Sequence, residues 1–123
     1  MTDITINSDQ LAEIIVAGIR EKKGENIVKL DLRKLDTSVC DSFIICQADN
    51  PRQVVAIADG VEDYVWENTK EWPKHKEGKE NAEWILLDYV DVVVHIFLDE
   101  KRDFFKLEKL WADAERTDYP NVD

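Results

Sequence analysis

The side chains able to do chemistry are few and scattered. The 123-residue chain holds two histidines, His75 and His95, and two cysteines, Cys40 and Cys46. A nucleophile or general base needs a neighbour that lowers its pKa or takes its proton. His95 stands between Val94 and Ile96 in an apolar run, where a structural histidine hydrogen-bonded to a nearby carboxylate is expected rather than a catalytic one. His75, between Lys74 and Lys76, reads as solvated. Neither cysteine has a cationic neighbour that would favour a thiolate, and Cys46 reads as a small apolar core residue. Asp88 and Asp91 could chelate a divalent cation, but two carboxylates make a weak site and aspartates at a turn usually cap it. A Walker loop, a dinucleotide-binding glycine motif, a nucleophile elbow and a Cys-x-x-Cys pair are all missing from the sequence. The expectation is a protein that is not an enzyme and uses no cofactor and no metal.

The four tryptophans, Trp66, Trp72, Trp84 and Trp111, say more. A buried tryptophan must place its indole N–H, and an exposed one often anchors an interface. Core packing is the reading for any one of them. Four in a small acidic chain without a catalytic set predict at least one protein contact surface.

The elements that would carry these residues centre on residues 83–97. Trp84-Ile85-Leu86-Leu87 and Val92-Val93-Val94-His95-Ile96-Phe97 are too short and too β-branched for helices, and they flank a tight polar break, so they read as an antiparallel strand pair. Neither alternates cleanly, which predicts a sheet covered on both faces. Before them, Asn7 or Ser8 caps a helix with apolar positions Leu11, Ile14, Ile15 and Ile19, ending near Gly24. Residues 27–32 form a strand with one wetter face, expected towards the sheet edge. Asp36-Thr37-Ser38 is turn chemistry, and residues 43–46 form a second strand. Asn50-Pro51 with Gln53 opens a crossing helix that runs to about Asn68. Residues 72–82 read as an exposed loop, and a last helix from Asp99 or Glu100 carries Phe104, Leu107, Leu110 and Trp111 at helical spacing. The polar tail, residues 115–123, is expected to fray. The sum is a single α/β domain, residues 1–123, with a central sheet, helices packed on it and an ordered core over about 8–112.

The chain is 44% hydrophobic and 35% charged, which suits an ordered globular domain. Its formal charge of −11 argues against gripping a phosphate backbone and favours a basic protein partner. No apolar run nears the roughly 20 residues that cross a bilayer. The N-terminal residues resemble neither a signal nor a transit peptide, so a cytosolic location is expected.

Several stretches are shared, in order, with a known family. They are Cys40-Asp41-Ser42-Phe43-Ile44-Ile45, Arg52-Gln53-Val54 with Ala56-Ile57-Ala58-Asp59, and Glu77-Gly78. They continue through Trp84 with Asp88-Tyr89, Val94-His95-Ile96-Phe97, Arg102 and Leu107-Glu108-Lys109-Leu110-Trp111. Over about residues 8–111 the chain closely resembles the ribosomal silencing factors, the RsfS or Iojap-like family. The resemblance implies a mixed, nucleotidyltransferase-like sheet, an often dimeric state and no catalytic activity. It further implies binding to the large ribosomal subunit through its ribosomal protein fourteen (bacterial numbering), on the face that meets the small subunit. Subunit joining is thereby blocked and translation falls when nutrients are scarce. Trp84 matches the family's hairpin tryptophan and is expected in the contact. Asp88, Tyr89, His95, Arg102, Glu108, Leu110 and Trp111 match further family positions, which the resemblance does not divide between contact and fold. Val90 departs from a common Gly, and because Val resists positive φ a different turn geometry is expected. Phe105 replaces a common Tyr and removes a hydroxyl.

Two other readings compete. A nucleotidyltransferase would need a Gly-Ser turn before the crossing helix and an Asp-x-Asp pair. Here the turn is Ala48-Asp49-Asn50-Pro51 and the acidic pair is Asp88-x-x-Asp91. A dimeric adaptor with a non-ribosomal partner would use the same exposed aromatics.

Overall fold

The computed structural model describes residues 6–35 and 39–122, so the turn expected at Asp36-Thr37-Ser38 lies outside the described residues. Helix α1 (Ser8–Glu21) starts at a reciprocal cap: the Gln10 amide donates to Asn7 Oδ1 at 2.8 Å, and the Asn7 amide donates to Gln10 Oε1 at 3.0 Å. Helix α2 (Pro51–Thr69) starts where the Gln53 amide donates to Asn50 Oδ1 at 2.9 Å, with Pro51 preset for the first turn. Both starts follow the capping residues read from the sequence.

The strands are β1 (Glu25–Asp31), β2 (Ser42–Ala48), β3 (His75–Glu77), β4 (Trp84–Asp88), β5 (Val92–Leu98) and β6 (Glu115–Tyr119). Among the described residues they form one six-stranded sheet in the order β3-β4-β5-β2-β1-β6. The sheet is mixed: β2 and β5 run parallel at its centre, the chain passing between them through α2, β3 and β4, and the other neighbours are antiparallel. One face is sealed by α1 and α2, whose Ile15, Ile19, Ile57, Val61 and Val65 pack on Ile44, Ile85, Leu87, Val94 and Ile96. The other face carries a smaller cluster, Val28, Leu30, Leu32, Phe43, Ile45, Val93 and Phe97, capped by Leu107. Helices α3 (Asp99–Phe105) and α4 (Leu107–Leu110) lie over this side. All seven residues of β5 are buried, whereas β4 alternates buried with half-buried positions. The second face is therefore open along β4, not covered as the unbroken apolar run suggested.

Four other expectations are corrected. The tail does not fray over 115–119: β6 pairs with β1 from Ile27↔Tyr119 to Asp31↔Glu115, which moves β1 inward from the expected edge. Four of its five residues are exposed, so no apolar period marked it. Polar contacts hold it instead, Tyr119 Oη donating to Glu13 Oε2 at 2.8 Å and the Asn26 amide to Asn121 Oδ1 at 2.8 Å. Residues 75–77 of the expected loop form edge strand β3, again wholly exposed. The last helix breaks at Lys106, φ +53°, so Leu107 turns inward while Leu110 remains 76% exposed. The Phe104 side chain lies outside the described residues. Finally, Val90 takes the glycine-like conformation, φ +76°, rather than a different turn.

Candidate contact face

Strand alternation places Trp84, Leu86 and Asp88 together on the open side of β4. Register sets Phe97, His95 and Val93 of β5 opposite them, and Glu77 and His75 of β3 opposite Leu86 and Asp88. The Trp84 ring lies 5.1 Å from the Phe97 ring, nearly parallel, and 4.7 Å from Phe105 of α3. The series continues through His95 to Phe43, 4.6 Å and nearly perpendicular, and from Phe43 to Trp111 at 5.6 Å. One aromatic layer thus runs across β4, β5 and β2, with half-buried Trp84, Leu86 and Trp111 and exposed Phe105 along its outer border. Carboxylates of Glu77 and Asp88 share the face with it.

The sequence-matched residues divide by depth. Trp84, Leu110 and Trp111 offer apolar surface, and Asp88 lies half-buried beside them, its Oδ1 accepting from the Val90 amide at 2.7 Å. His95 is 3% exposed and Tyr89 4% exposed, too little for a partner to touch. Tyr89 lies in the helix-side core, its hydroxyl without a hydrogen-bond partner among the described residues. Burial pushes that hydroxyl's pKa up, and the carboxylates of Glu62 and Glu71 push it further. Arg102, its side chain 11% exposed, is a structural clamp. Its Nε donates to Glu108 Oε1 at 2.7 Å, and its Nη1 donates to Asn26 O at 2.7 Å and Gln47 Oε1 at 3.0 Å. Glu108 also meets Arg116 at 3.1 Å. The clamp ties α3 and α4 to β1, β2 and β6.

His95 does not meet a carboxylate. Its Nδ1 accepts from the Trp84 indole Nε1–H at 3.0 Å, so the neutral ring carries its proton on Nε2. Nε2 is buried and has no hydrogen-bond partner among the described residues, a state that costs about 1–3 kcal/mol. Burial lowers the ring's pKa to about 3, so it stays neutral near neutral pH. Burial raises the Cys40 thiol to about 11 and the Cys46 thiol to about 12, leaving both protonated. Among the described residues no three metal-capable side chains converge, and no helix is long and apolar enough to cross a membrane. Trp66 and Trp72 lie apart from the face, stacked 4.8 Å from each other.

Leu86 and Phe105 belong to the face but were not singled out as contact residues from the sequence. Leu86 was legible, two residues from Trp84 on the same strand face. Phe105 was not, because its approach to Trp84 depends on where α3 docks.

Fold and site define a small α/β protein whose open sheet face carries an aromatic layer. The chain belongs to the ribosomal silencing factor family: the family model "Ribosomal silencing factor during starvation" matches residues 5–123. It is 38% identical over 113 residues to the ribosomal silencing factor RsfS of Bacillus subtilis, covering 92% of this chain and 94% of that protein. It is 35% identical over 117 residues to that of Halalkalibacterium halodurans, covering 95% and 98%. A crystal structure of a Chromobacterium violaceum protein superposes with a TM-score of 0.82 at 34% identity, covering 87% of this chain and 88% of that one.

Proposed function

We propose that this protein is a steric anti-association factor. In the cytoplasm it binds the large ribosomal subunit through ribosomal protein fourteen, excludes the small subunit from the same surface and so represses translation under nutrient limitation. The observation that carries this reading is the aromatic layer on the open side of β4, with Trp84, Leu86, Phe105 and Trp111 along its outer border and Glu77 and Asp88 beside it. Such a face suits a basic protein: aromatic anchors supply the affinity, and the net charge of −11 speeds the encounter. Blocking requires only that two bodies cannot share one surface, so no side chain needs to be reactive.

The test is sedimentation of separated subunits through sucrose at joining concentrations of magnesium, with and without the protein. Comigration with the large subunit and a smaller joined peak are expected. A Trp84→Ala variant should bind about 2 kcal/mol more weakly. Protein left at the top of the gradient with joining unchanged would refute the reading.

A further inference from the structure

We propose that His95 is the positioning residue of this contact face: without touching the partner, its Nδ1 lone pair fixes the Trp84 indole in the orientation that meets it. The proposal rests on Trp84 being a contact residue, as argued above. His95 stands where the fold alone does not call for a histidine. It is the one polar side chain among the seven buried residues of β5, and its Nε2 is left unpartnered. Flanked by Val94 and Ile96 and packed on Phe43, this position would suit an apolar ring better if stability were the only demand.

What an apolar ring lacks is an acceptor at Nδ1, 3.0 Å from the Trp84 indole nitrogen. Trp84 is only half-buried, so an indole N–H without that acceptor can turn to water. Turning it lifts the ring from Phe97, on which it stacks, and from the tilted Phe105 ring at 4.7 Å. The histidine thus trades an unpartnered N–H in the core for a fixed anchor at the surface. The same logic explains its tautomer, since only a ring protonated on Nε2 can accept at Nδ1.

Two substitutions separate positioning from packing. His95→Phe keeps the ring and removes the acceptor, while His95→Asn places its Oδ1 near the site of Nδ1 and loses ring volume. Three readouts are taken: thermal melting, the Trp84 indole N–H resonance (assigned by its loss in Trp84→Ala), and cosedimentation with purified large subunits. His95→Phe should melt at or above the wild-type temperature and shift the indole resonance towards that of a water-exposed tryptophan. Its binding should weaken about fivefold, the equivalent of one hydrogen bond. His95→Asn should melt lower yet restore the resonance and most of the binding. The proposal is overturned if His95→Phe does not fold, or binds like wild type while Trp84→Ala is weakened. It is also overturned if both His95 variants lose binding in step with their melting temperatures. Wild-type binding by Trp84→Ala would instead remove the contact-face reading, and this inference with it.

Discussion

Replacing Arg102 by methionine keeps the aliphatic stem and deletes the guanidinium that joins α3 and α4 to the sheet. The guanidinium makes three hydrogen bonds, to Glu108 at 2.7 Å, Asn26 O at 2.7 Å and Gln47 at 3.0 Å. Hydrogen bonds to charged groups are worth about 1.5–3 kcal/mol each, but bonds from one group do not add. Glu108 would retain Arg116 at 3.1 Å, so its charge would not be stranded. For this half-buried group the loss should therefore fall well below the sum of three such bonds, at about 3 kcal/mol. Urea unfolding at neutral pH with an unchanged slope reads this directly, and a melting temperature lower by roughly 10 °C should accompany it. The acid limb gives a second reading. Arg102 holds the Glu108 carboxyl below its ordinary value of 4.5 chiefly through their hydrogen bond, so this carboxylate stabilises the fold above that pH and ceases to on acidification. The variant should lose less stability than the wild type on passing below about pH 4.5. A loss under about 1 kcal/mol at neutral pH would refute the clamp and return Arg102 to the pool of contact residues.

Val90→Gly should stabilise the chain by about 1 kcal/mol in thermal melting, because a β-branched residue at φ +76° carries strain that glycine lacks. Tyr89→Phe removes a buried hydroxyl without a partner, so stability should hold or rise by about 1 kcal/mol while large-subunit binding is unchanged. On acidification from pH 6.5 towards 3, His95 of the unfolded chain takes up a proton that the folded chain refuses. Stability contributed by the neutral ring should therefore fall with pH across that window, by up to about 1.4 kcal/mol per unit, and His95→Phe should lack this part of the slope in acid titrations followed by circular dichroism.

Elements whose residues advertise themselves locally could be read along the chain alone. Asn7-Gln10 and Asn50-Pro51-Gln53 marked both long helices because a cap is a short-range hydrogen bond. The apolar runs at 84–87 and 92–97 marked β4 and β5 because burial leaves a pattern in composition. The family match located Trp84 and its companions in the same way, as identities along the chain. Edge strands β3 and β6 bury almost nothing, so their pairing leaves no apolar signature, and only β4 and β1 beside them made them strands. The left-handed Lys106 was equally silent, and at Val90 the side chain pointed away from the conformation that the common Gly marks, since neither side chain favours it and the surrounding packing imposes it. Tertiary structure also sorted the candidate residues: Tyr89 into the core, Arg102 and Glu108 into a clamp, and Trp84, Leu110 and Trp111 to the surface. His95 shows why that sorting needed three dimensions. Its neighbours in sequence are all apolar, and the indole it serves comes from the next strand, brought within 3.0 Å only by sheet register.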